Sequence, residues 1–166
     1  NKMKEAINRK FCVAPMMGYT TPYARKLYRI LTKESFLFTE MIASKSMIYS
    51  KNKDLIIEND EHNPVALQVG GSDLKDLKKC SEIAYQYNYN EINLNVGCPS
   101  KAVQKGSFGA CLMQDKILVK ECLEIMQNDV EFVRNKLPYV FGQMKNNHGI
   151  EQITSFLNTE GGLPLN

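Results

Sequence analysis

The sequence predicts an α/β protein with one parallel sheet, and two observations carry that prediction. Short apolar runs at residues 11–15, 35–41, 64–69 and 91–96 have the length and composition of buried strands. Between these runs lie longer stretches in which apolar side chains recur at helical spacing. Strands that alternate with helices in this way are typical of βαβ units, whose strands run parallel in the same sheet.

The first third of the chain contains two predicted βα units. Residues 11–15 form the first strand, and Thr-Thr-Pro at residues 20–22 supplies an N-cap signal with proline near the first helical position. The helix predicted at residues 22–32 places four apolar side chains on one face: Tyr23, Leu27, Ile30 and Leu31. Residues 35–41 follow as a second buried strand, and residues 43–50 as a second helix.

A third unit begins after a polar segment. Residues 64–69 are predicted to form a strand that Gly70 and Gly71 stop. Ser72 is predicted to cap the next helix, which runs to about Tyr87 with apolar residues at helical spacing.

The fourth unit and the tail follow. Residues 91–96 form the fourth predicted strand, residues 97–113 a glycine-containing loop and residues 115–129 a helix. From about residue 131 the pattern predicts a separate helix-rich tail, which is broken near Pro138 and again near His148.

The composition is that of a globular protein able to bury a core, since 43% of the 166 residues are apolar and 23% are charged. No window approaches 18 uninterrupted apolar residues, and residues 1–10 lack the apolar stretch of a secretory signal. We therefore expect no membrane segment and a cytoplasmic protein. The five cysteines show no metal-like CxxC spacing, so we expect reduced thiols rather than disulfides or metal ligands.

The charge pattern permits binding to nucleic acid but does not indicate it. The net charge is only +3. Basic residues cluster within residues 1–10, and Lys101 and Lys105 lie in the glycine-containing loop. For each of these residues taken singly, a phosphate contact and a solvated surface are equally open interpretations.

The strongest candidate for chemistry is the segment INLNVGCPS at residues 92–100. It places Asn93, Asn95 and Cys98 at or just beyond the carboxyl end of a parallel strand, where α/β barrels build their sites. Asparagines in a buried strand need amide partners, so at least one is expected to face a polar pocket. The spacing alone leaves two interpretations of Cys98 equally open, a functional thiol or a small buried residue in a tight turn.

Other catalytic signatures are missing from the sequence. It contains no glycine-rich dinucleotide fingerprint, no P-loop and no paired histidines of a zinc site, and His62 and His148 are expected at the surface. The remaining cysteines fall where ordinary core packing accounts for them: Cys12, Cys80, Cys111 and Cys122.

Four motifs follow one another along the chain. They are VAPMM at residues 13–17, LFTEM at 37–41, PVALQVGGSD at 64–73 and EINLNVGCPSKAVQKGSFGACLM at 91–113. Their residues and spacing resemble the tRNA-dihydrouridine synthase family, most closely its branch that modifies positions 20 and 20a of the D-loop. The last motif is long and highly specific, and the resemblance covers residues 11–129.

The resemblance implies a partial TIM (β/α)8-type barrel at residues 1–129, with FMN at its carboxyl-end face and NADPH as the electron source. It implies that residues 130–166 are a remnant of a C-terminal helical domain that grips tRNA. The backbone of Pro15, Met16 and Met17 would lie against the flavin.

The resemblance also implies roles for three further side chains. Gln68 would hydrogen-bond the edge of the flavin ring, Asn95 would contact the target uracil, and Cys98 would be the general acid. The implied reaction adds hydride at carbon six of uracil and a proton at carbon five from the opposite face. A thiol suits this step, because ordinary thiols have a pKa near ~8.5 and are protonated at neutral pH. The uracil must also swing out of the tRNA fold, which requires a pocket and stacking.

The sequence departs from the family pattern at two places. Residues 18–21 replace an aromatic-acidic stretch that usually follows the first motif. After residue 129 the family continues with βα units that supply a lysine, a histidine and phosphate-binding loops, whereas here residues 134–154 resemble the start of the helical domain, as after a large internal deletion. We therefore expect about four strands, an open sheet, an uncovered apolar face, and self-association through the open sheet edge as an option.

Three functions stay open at this point. The first is a tRNA-dihydrouridine synthase, and the second is a catalytically inactive remnant or tRNA-binding fragment of the same family. The third is a different FMN barrel, such as a dihydroorotate or other pyrimidine reductase, against which the GCPS loop and the helical tail both argue. Bound flavin would distinguish the first function from the second.

Overall fold

One parallel sheet forms the centre of the structure. The computed structural model describes residues 9–51, 64–100, 108–128 and 139–141. Within these ranges the strands are β1 (Cys12–Val13), β2 (Phe36–Phe38), β3 (Ile42–Ala43), β4 (Val65–Gly70), β5 (Glu91–Leu94) and β6 (Tyr139–Phe141). The α-helices are α1 (Pro22–Leu31), α2 (Ser44–Tyr49), α3 (Leu74–Gln86) and α4 (Lys116–Asn128), and Gly109–Gln114 form a 3-10 helix.

The sheet has the topology that βαβ units produce. Neighbouring strands follow the order β1-β2-β4-β5-β6, and β3 also pairs with β4. Every pairing is parallel, as in the register that places Leu67 opposite Ile92. Strands β1 and β6 are the two edges, so the sheet is open over the described residues. The predicted α/β fold with parallel strands is confirmed, and the open sheet is consistent with a partial (β/α)8-type barrel.

The two faces of the sheet carry different side chains, because successive residues of a strand point to opposite sides. One face packs against α2, α3 and α4 in the main core. Its buried strand residues include Leu37, Val65, Leu67, Val69, Ile92 and Leu94. On the other face, Phe36 and Phe38 form a second cluster with Ala66. The polar side chains of the candidate site lie on this second face.

Helices α3 and α4 match the apolar spacing of the sequence. Their buried apolar residues are Leu77, Cys80, Ala84, Val119, Cys122, Leu123 and Met126. The N-cap of α3, however, is Asp73 and not Ser72 as predicted. The Asp73 carboxylate accepts a hydrogen bond from the backbone N–H of Asp76 at 3.0 Å, and an acid at this position also complements the helix dipole. None of the described helices is long and apolar enough to cross a membrane.

The predicted strand at residues 35–41 is shorter in the structure, where β2 ends at Phe38 and β3 begins only at Ile42, and Thr39 accounts for this early end. Its side-chain Oγ1 accepts a hydrogen bond from the backbone N–H of Gln68 at 3.0 Å. A hydroxyl oxygen therefore takes the place of a strand carbonyl as the acceptor, and the regular ladder ends at Phe38.

The C-terminal region contains a strand where the sequence predicted helix. β6 pairs parallel to β5, with Val140 opposite Asn93. The helical prediction is therefore wrong for Tyr139–Phe141, where a β-branched residue between two aromatic residues favours extended backbone. The expected number of strands was also too low, since the described ranges contain six. Other parts of the predicted tail lie outside the described residues, and the boundary between 1–129 and 130–166 stays a prediction.

Helix α1 begins as predicted but is oriented unexpectedly. Thr21 caps it by accepting a hydrogen bond from the N–H of Ala24 at 3.3 Å. Its buried face carries Arg25 and Arg29, whose guanidinium groups donate to the carbonyl oxygens of Thr20, Thr32 and Pro64. The predicted apolar side chains are exposed on the opposite face: Tyr23, Leu27, Ile30 and Leu31. The predicted apolar face of the helix is therefore present, but it is the exposed face and not the buried one.

A partly buried ion pair lies at the amino end of β5. Glu91 is fully buried, and its carboxylate accepts a hydrogen bond from the Arg9 guanidinium, which also lies 4.6 Å from the ring centroid of Phe36. Burial raises the pKa of Glu91, while the hydrogen bond and charge of Arg9 lower it and partly offset this effect. Arg9 therefore neutralises a buried carboxylate, rather than serving only as part of a basic N-terminal cluster.

Candidate functional site

Three amide side chains meet near the carboxyl ends of β4 and β5. Gln68 and Asn93 lie opposite each other in the ladder, and Asn95 follows two residues later on the same face. Gln68 Nε2 donates to Asn93 Oδ1 at 2.7 Å, and Asn95 Nδ2 donates to Gln68 Oε1 at 3.0 Å. Gln68 and Asn93 are each only 1% exposed, so these bonds satisfy amides whose burial would otherwise be costly. The expected amide partners are therefore present for both asparagines.

Asn95 connects this amide group to the turn that carries the predicted acid. Its Oδ1 accepts hydrogen bonds from the backbone N–H of Gly97 at 3.1 Å and of Cys98 at 2.9 Å. Asparagine commonly stabilises turns in this way, by bonding backbone groups two or three residues ahead. A continuous hydrogen-bonded chain thus runs from Asn93 through Gln68 and Asn95 to the backbone of Cys98.

The Cys98 thiol lies on this turn rather than in the core. The residue is half-buried, and its Sγ donates to Ser100 Oγ at 3.5 Å. Of the two interpretations that the sequence left open, the tight turn of the second is present, but the thiol on it is half-buried and not buried. The catalytic role itself stays a prediction.

The chain returns to the Cys98 turn through the segment at Phe108. The N–H of Ala110 donates to the carbonyl of Cys98 at 3.0 Å. Phe108 lies against the end of β4, where a Cβ on Gly70 would be 2.7 Å from its ring and 2.9 Å from Met41 Sδ. Glycine at position 70 therefore makes room for the ring, and the ring holds the returning segment beside the strand.

A second part of the site is the turn between β1 and α1. The carbonyl of Met16 accepts hydrogen bonds from the N–H groups of Tyr19 and Thr20 at 3.0 and 2.9 Å. The Thr20 hydroxyl, which is fully buried, accepts from Met16 N–H at 3.0 Å and donates to Met16 O at 3.1 Å. The side chains of Met16 and Met17 are 41% and 64% exposed, and Pro15 is half-buried. The backbone of the turn is thus fixed where Thr20 bonds Met16, and the Met16 and Met17 side chains offer an accessible apolar surface.

These two parts lie at the same edge of the sheet, because all the strands are parallel. Only β2 separates β1 from β4, so the turn after β1 and Gln68 are about two strand spacings apart, roughly 10 Å. A flavin ring system could bridge this gap. It would meet the backbone of the turn at Pro15, Met16 and Met17 on one side and the Gln68 amide on the other, so the residues present fit one part of FMN.

The remaining cysteines differ in their surroundings. Cys80 and Cys122 are buried on α3 and α4, as predicted, and burial raises their pKa values to about 12 and about 11 respectively. Both thiols stay protonated at neutral pH. Cys12 is exposed, so the prediction of a core position is wrong for it, because the β1 edge of the sheet is open. Cys111 is half-buried, and no disulfide joins the five cysteines in the structure.

Three residues that shape this edge of the sheet were not predicted as site residues from the sequence. Thr20 closes the turn after β1, and Thr39 accepts from the backbone of Gln68. Glu40 Oε1 accepts from the N–H of Gly18 at 2.6 Å. The available signal was the polar pair Thr39 and Glu40 directly after a buried apolar strand, a place where such residues need partners. Two lysines considered as phosphate contacts lie outside the described residues: Lys101 and Lys105.

Known proteins resemble this chain over most of its length. Residues 12–162 match the family described as dihydrouridine synthase (Dus). The tRNA-dihydrouridine(20/20a) synthase of Vibrio parahaemolyticus is 46% identical over 122 residues, which are 74% of this chain and 37% of that protein. The protein of the same name from Yersinia pestis is 43% identical over 147 residues, 89% of this chain and 40% of that protein. The one from Shigella flexneri is 40% identical over 153 residues, 92% of this chain and 44% of that protein.

The chain thus spans about two fifths of the length of these relatives. The matches with the Yersinia and Shigella proteins extend over nine tenths of the chain, well beyond the four motifs. The likeness is therefore not confined to the segment around Cys98.

Proposed function

This chain belongs to the dihydrouridine synthase family, and we propose that its site takes part in the reduction of a uridine in tRNA to 5,6-dihydrouridine. The observation that carries the proposal is the hydrogen-bonded chain Gln68–Asn95–Cys98. It joins the side chain proposed for the cofactor, the side chain proposed for the substrate and the proposed acid at one edge of the sheet.

Cys98 is the proposed general acid. Its Sγ lies 3.5 Å from Ser100 Oγ on the exposed side of the turn. The two hydrogen bonds from Asn95 fix the backbone of the turn, and the thiol is positioned without being enclosed. A positioned acid contributes a factor on the order of 10²–10⁴ to the rate of a proton transfer. In the proposed reaction the Cys98 thiol gives its proton to carbon five of the uracil.

FMN and NADPH are the proposed cofactors, with FMN bound between the β1–α1 turn and β4. FMN, when bound, supplies the hydride for carbon six of the uracil. The backbone of Pro15, Met16 and Met17 would hold one side of its ring. Gln68 Nε2 already donates one hydrogen to Asn93 and carries a second hydrogen that can donate to the edge of the ring.

Asn95 is the proposed contact for the uracil. Its Nδ2 donates one hydrogen to Gln68 and carries a second that can donate to a uracil carbonyl. The relatives are named as enzymes of positions 20 and 20a in tRNA, and we propose the same class of substrate for this chain. An enzyme of tRNA would work in the cytoplasm.

A second candidate function is a catalytically inactive or tRNA-binding fragment of the same family. The observation that favours it is the open sheet, whose edges β1 and β6 have no strand partner on one side within the described residues. An open edge also permits pairing with a second copy of the chain. Under this alternative the chain would bind tRNA or associate with itself without turnover.

Mass spectrometry of tRNA distinguishes the two functions. The chain is incubated with FMN, NADPH and tRNA that lacks dihydrouridine, and the dihydrouridine content is then measured. We expect dihydrouridine to form and its rate of formation to fall by roughly 10²–10⁴ in Cys98→Ala. Cys12→Ala removes an exposed cysteine elsewhere and is the matched control. No product with the unaltered chain would favour the inactive fragment, and an unchanged rate in Cys98→Ala would exclude Cys98 as the acid.

A further inference from the structure

Glu40, at the carboxyl end of β2, reaches the turn that follows β1. Its Oε1 accepts a hydrogen bond from the backbone N–H of Gly18 at 2.6 Å. We propose that Glu40 is a positioning residue, which fixes the outer part of the β1–α1 turn and thereby the surface that Met16 and Met17 offer to a flavin. The flavin part of this inference rests on the proposed function, whereas the effect on the turn does not.

The outer part of the turn needs such support. Thr20 holds the base of the turn by its bonds to Met16. Gly18 lies beyond that base, is exposed, and has a φ of +78°. Glycine reaches this left-handed backbone region as readily as the common one, so its conformation is weakly determined by its own preference. A bond from an ionised carboxylate to its N–H selects one conformation and is stronger than a bond between neutral groups.

Packing does not provide the same support. A Cβ built on Gly18 meets no atom within 4 Å, and the neighbouring Met17 and Tyr19 are 64% and 71% exposed. Few apolar contacts therefore hold this part of the chain in place. The hydrogen bond to Glu40 ties it to a strand of the sheet.

Glu40 is itself connected to the strand that carries Gln68. The carbonyl of Glu40 accepts from the Thr39 hydroxyl at 2.8 Å, and the same hydroxyl accepts from the backbone N–H of Gln68 at 3.0 Å. The two parts of the proposed flavin site are thus linked through residues 39 and 40. Glu40 sets the β1–α1 turn relative to Gln68, and this relation decides whether both can touch the same ring.

Amide hydrogen exchange at Gly18, measured by NMR on the full chain, tests this inference without a cofactor. We expect the exchange rate of the Gly18 amide to rise by about tenfold or more in Glu40→Ala, since a bond to a charged acceptor is lost. Glu40→Gln keeps an oxygen acceptor and should restore most of the protection. Glu121→Ala, which removes an exposed carboxylate on α4, is the matched control. Equal exchange rates in Glu40→Ala and the unaltered chain would overturn the proposal.

FMN titration of the same variants tests the consequence for the cofactor. Glu40→Ala should weaken FMN binding by several-fold, with the affinity largely restored in Glu40→Gln. Faster exchange in Glu40→Ala without any loss of affinity would overturn the link to the flavin. If the unaltered chain takes up no FMN, the proposed function fails, and the exchange rates alone decide whether Glu40 fixes the turn.

Discussion

The side chains of Gln68 and Asn95 illustrate how far single residues determine this site. Each amide uses both of its polar atoms: Gln68 bonds Asn93 and Asn95, and Asn95 bonds Gln68 and the Cys98 turn. A buried amide that lost one of these partners would leave a donor or acceptor unsatisfied, at a cost of about 1–3 kcal/mol. The network therefore favours one arrangement of the site before any ligand binds.

Glu91 provides a prediction about pH at the same scale. Burial raises its pKa, an effect that Arg9 partly offsets. The folded state therefore binds a proton on the Glu91 carboxyl group more tightly than the unfolded chain does. The contribution of Glu91 to stability is complete below the ordinary carboxyl pKa of about 4.3. It is lost as the pH rises through the raised pKa of Glu91 in the folded state. Over that window the free energy of unfolding of the unaltered chain should fall with pH relative to that of Glu91→Gln.

Urea denaturation between pH 4 and pH 7 measures this difference. Glu34→Gln removes one exposed carboxyl group and controls for the change in net charge. Stability curves for the unaltered chain and Glu91→Gln that stayed parallel across the whole range would show that Glu91 does not titrate as described.

At the scale of elements, the contact between the end of β4 and the returning segment is the most constrained part of the site. A Cβ at position 70 would lie 2.7 Å from the Phe108 ring. We expect Gly70→Ala to displace the ring and to destabilise the chain by about 1–3 kcal/mol, as overpacked positions do. Because Ala110 bonds the carbonyl of Cys98, the displacement should also disturb the proposed acid.

A double-mutant cycle with Phe108→Ala checks the cause. Removal of the ring should relieve most of the cost of Gly70→Ala, so the two changes should not be additive in the free energy of unfolding. Additive effects would mean that the clash with Phe108 is not what requires glycine at this position.

The elements also show what the sequence could and could not predict. Helices α3 and α4 were predictable because their apolar spacing coincides with their buried faces, and β4 because it is a short apolar run that only Gln68 interrupts before Gly70. Three features depend on contacts that are distant in sequence: the break after Phe38, the strand β6, and the exposed face of α1. The bond between Thr39 and Gln68 joins residues 29 positions apart, and no local pattern predicts it.

In the site, too, some features were predictable from the local sequence and others depend on contacts that are distant in sequence. The segment around Cys98 was recognisable from its motif, and the partners expected for Asn93 and Asn95 followed from the cost of burying amides. The contact between Glu40 and Gly18 joins residues 22 positions apart and became visible only when β1 and β2 were placed side by side.

At the scale of the whole molecule, the central feature is a partial barrel whose proposed catalytic groups are already brought together. A closed barrel has no free edges, whereas among the residues that the structure describes β1 and β6 are edges and α1 exposes its apolar face. The chain spans about two fifths of the length of its relatives. The arrangement of the site for chemistry and the ability of this length of chain to hold the cofactor therefore require separate experiments.

Flavin uptake shows directly whether the β1–α1 turn and Gln68 form a flavin site. The chain is mixed with FMN, unbound FMN is removed, and the visible absorption spectrum is recorded. We expect the protein to retain flavin absorption and Gln68→Leu to weaken FMN binding by about tenfold, the value of one hydrogen bond. A chain that is folded by circular dichroism but stays colourless in excess FMN would contradict the claim that these residues form a flavin site.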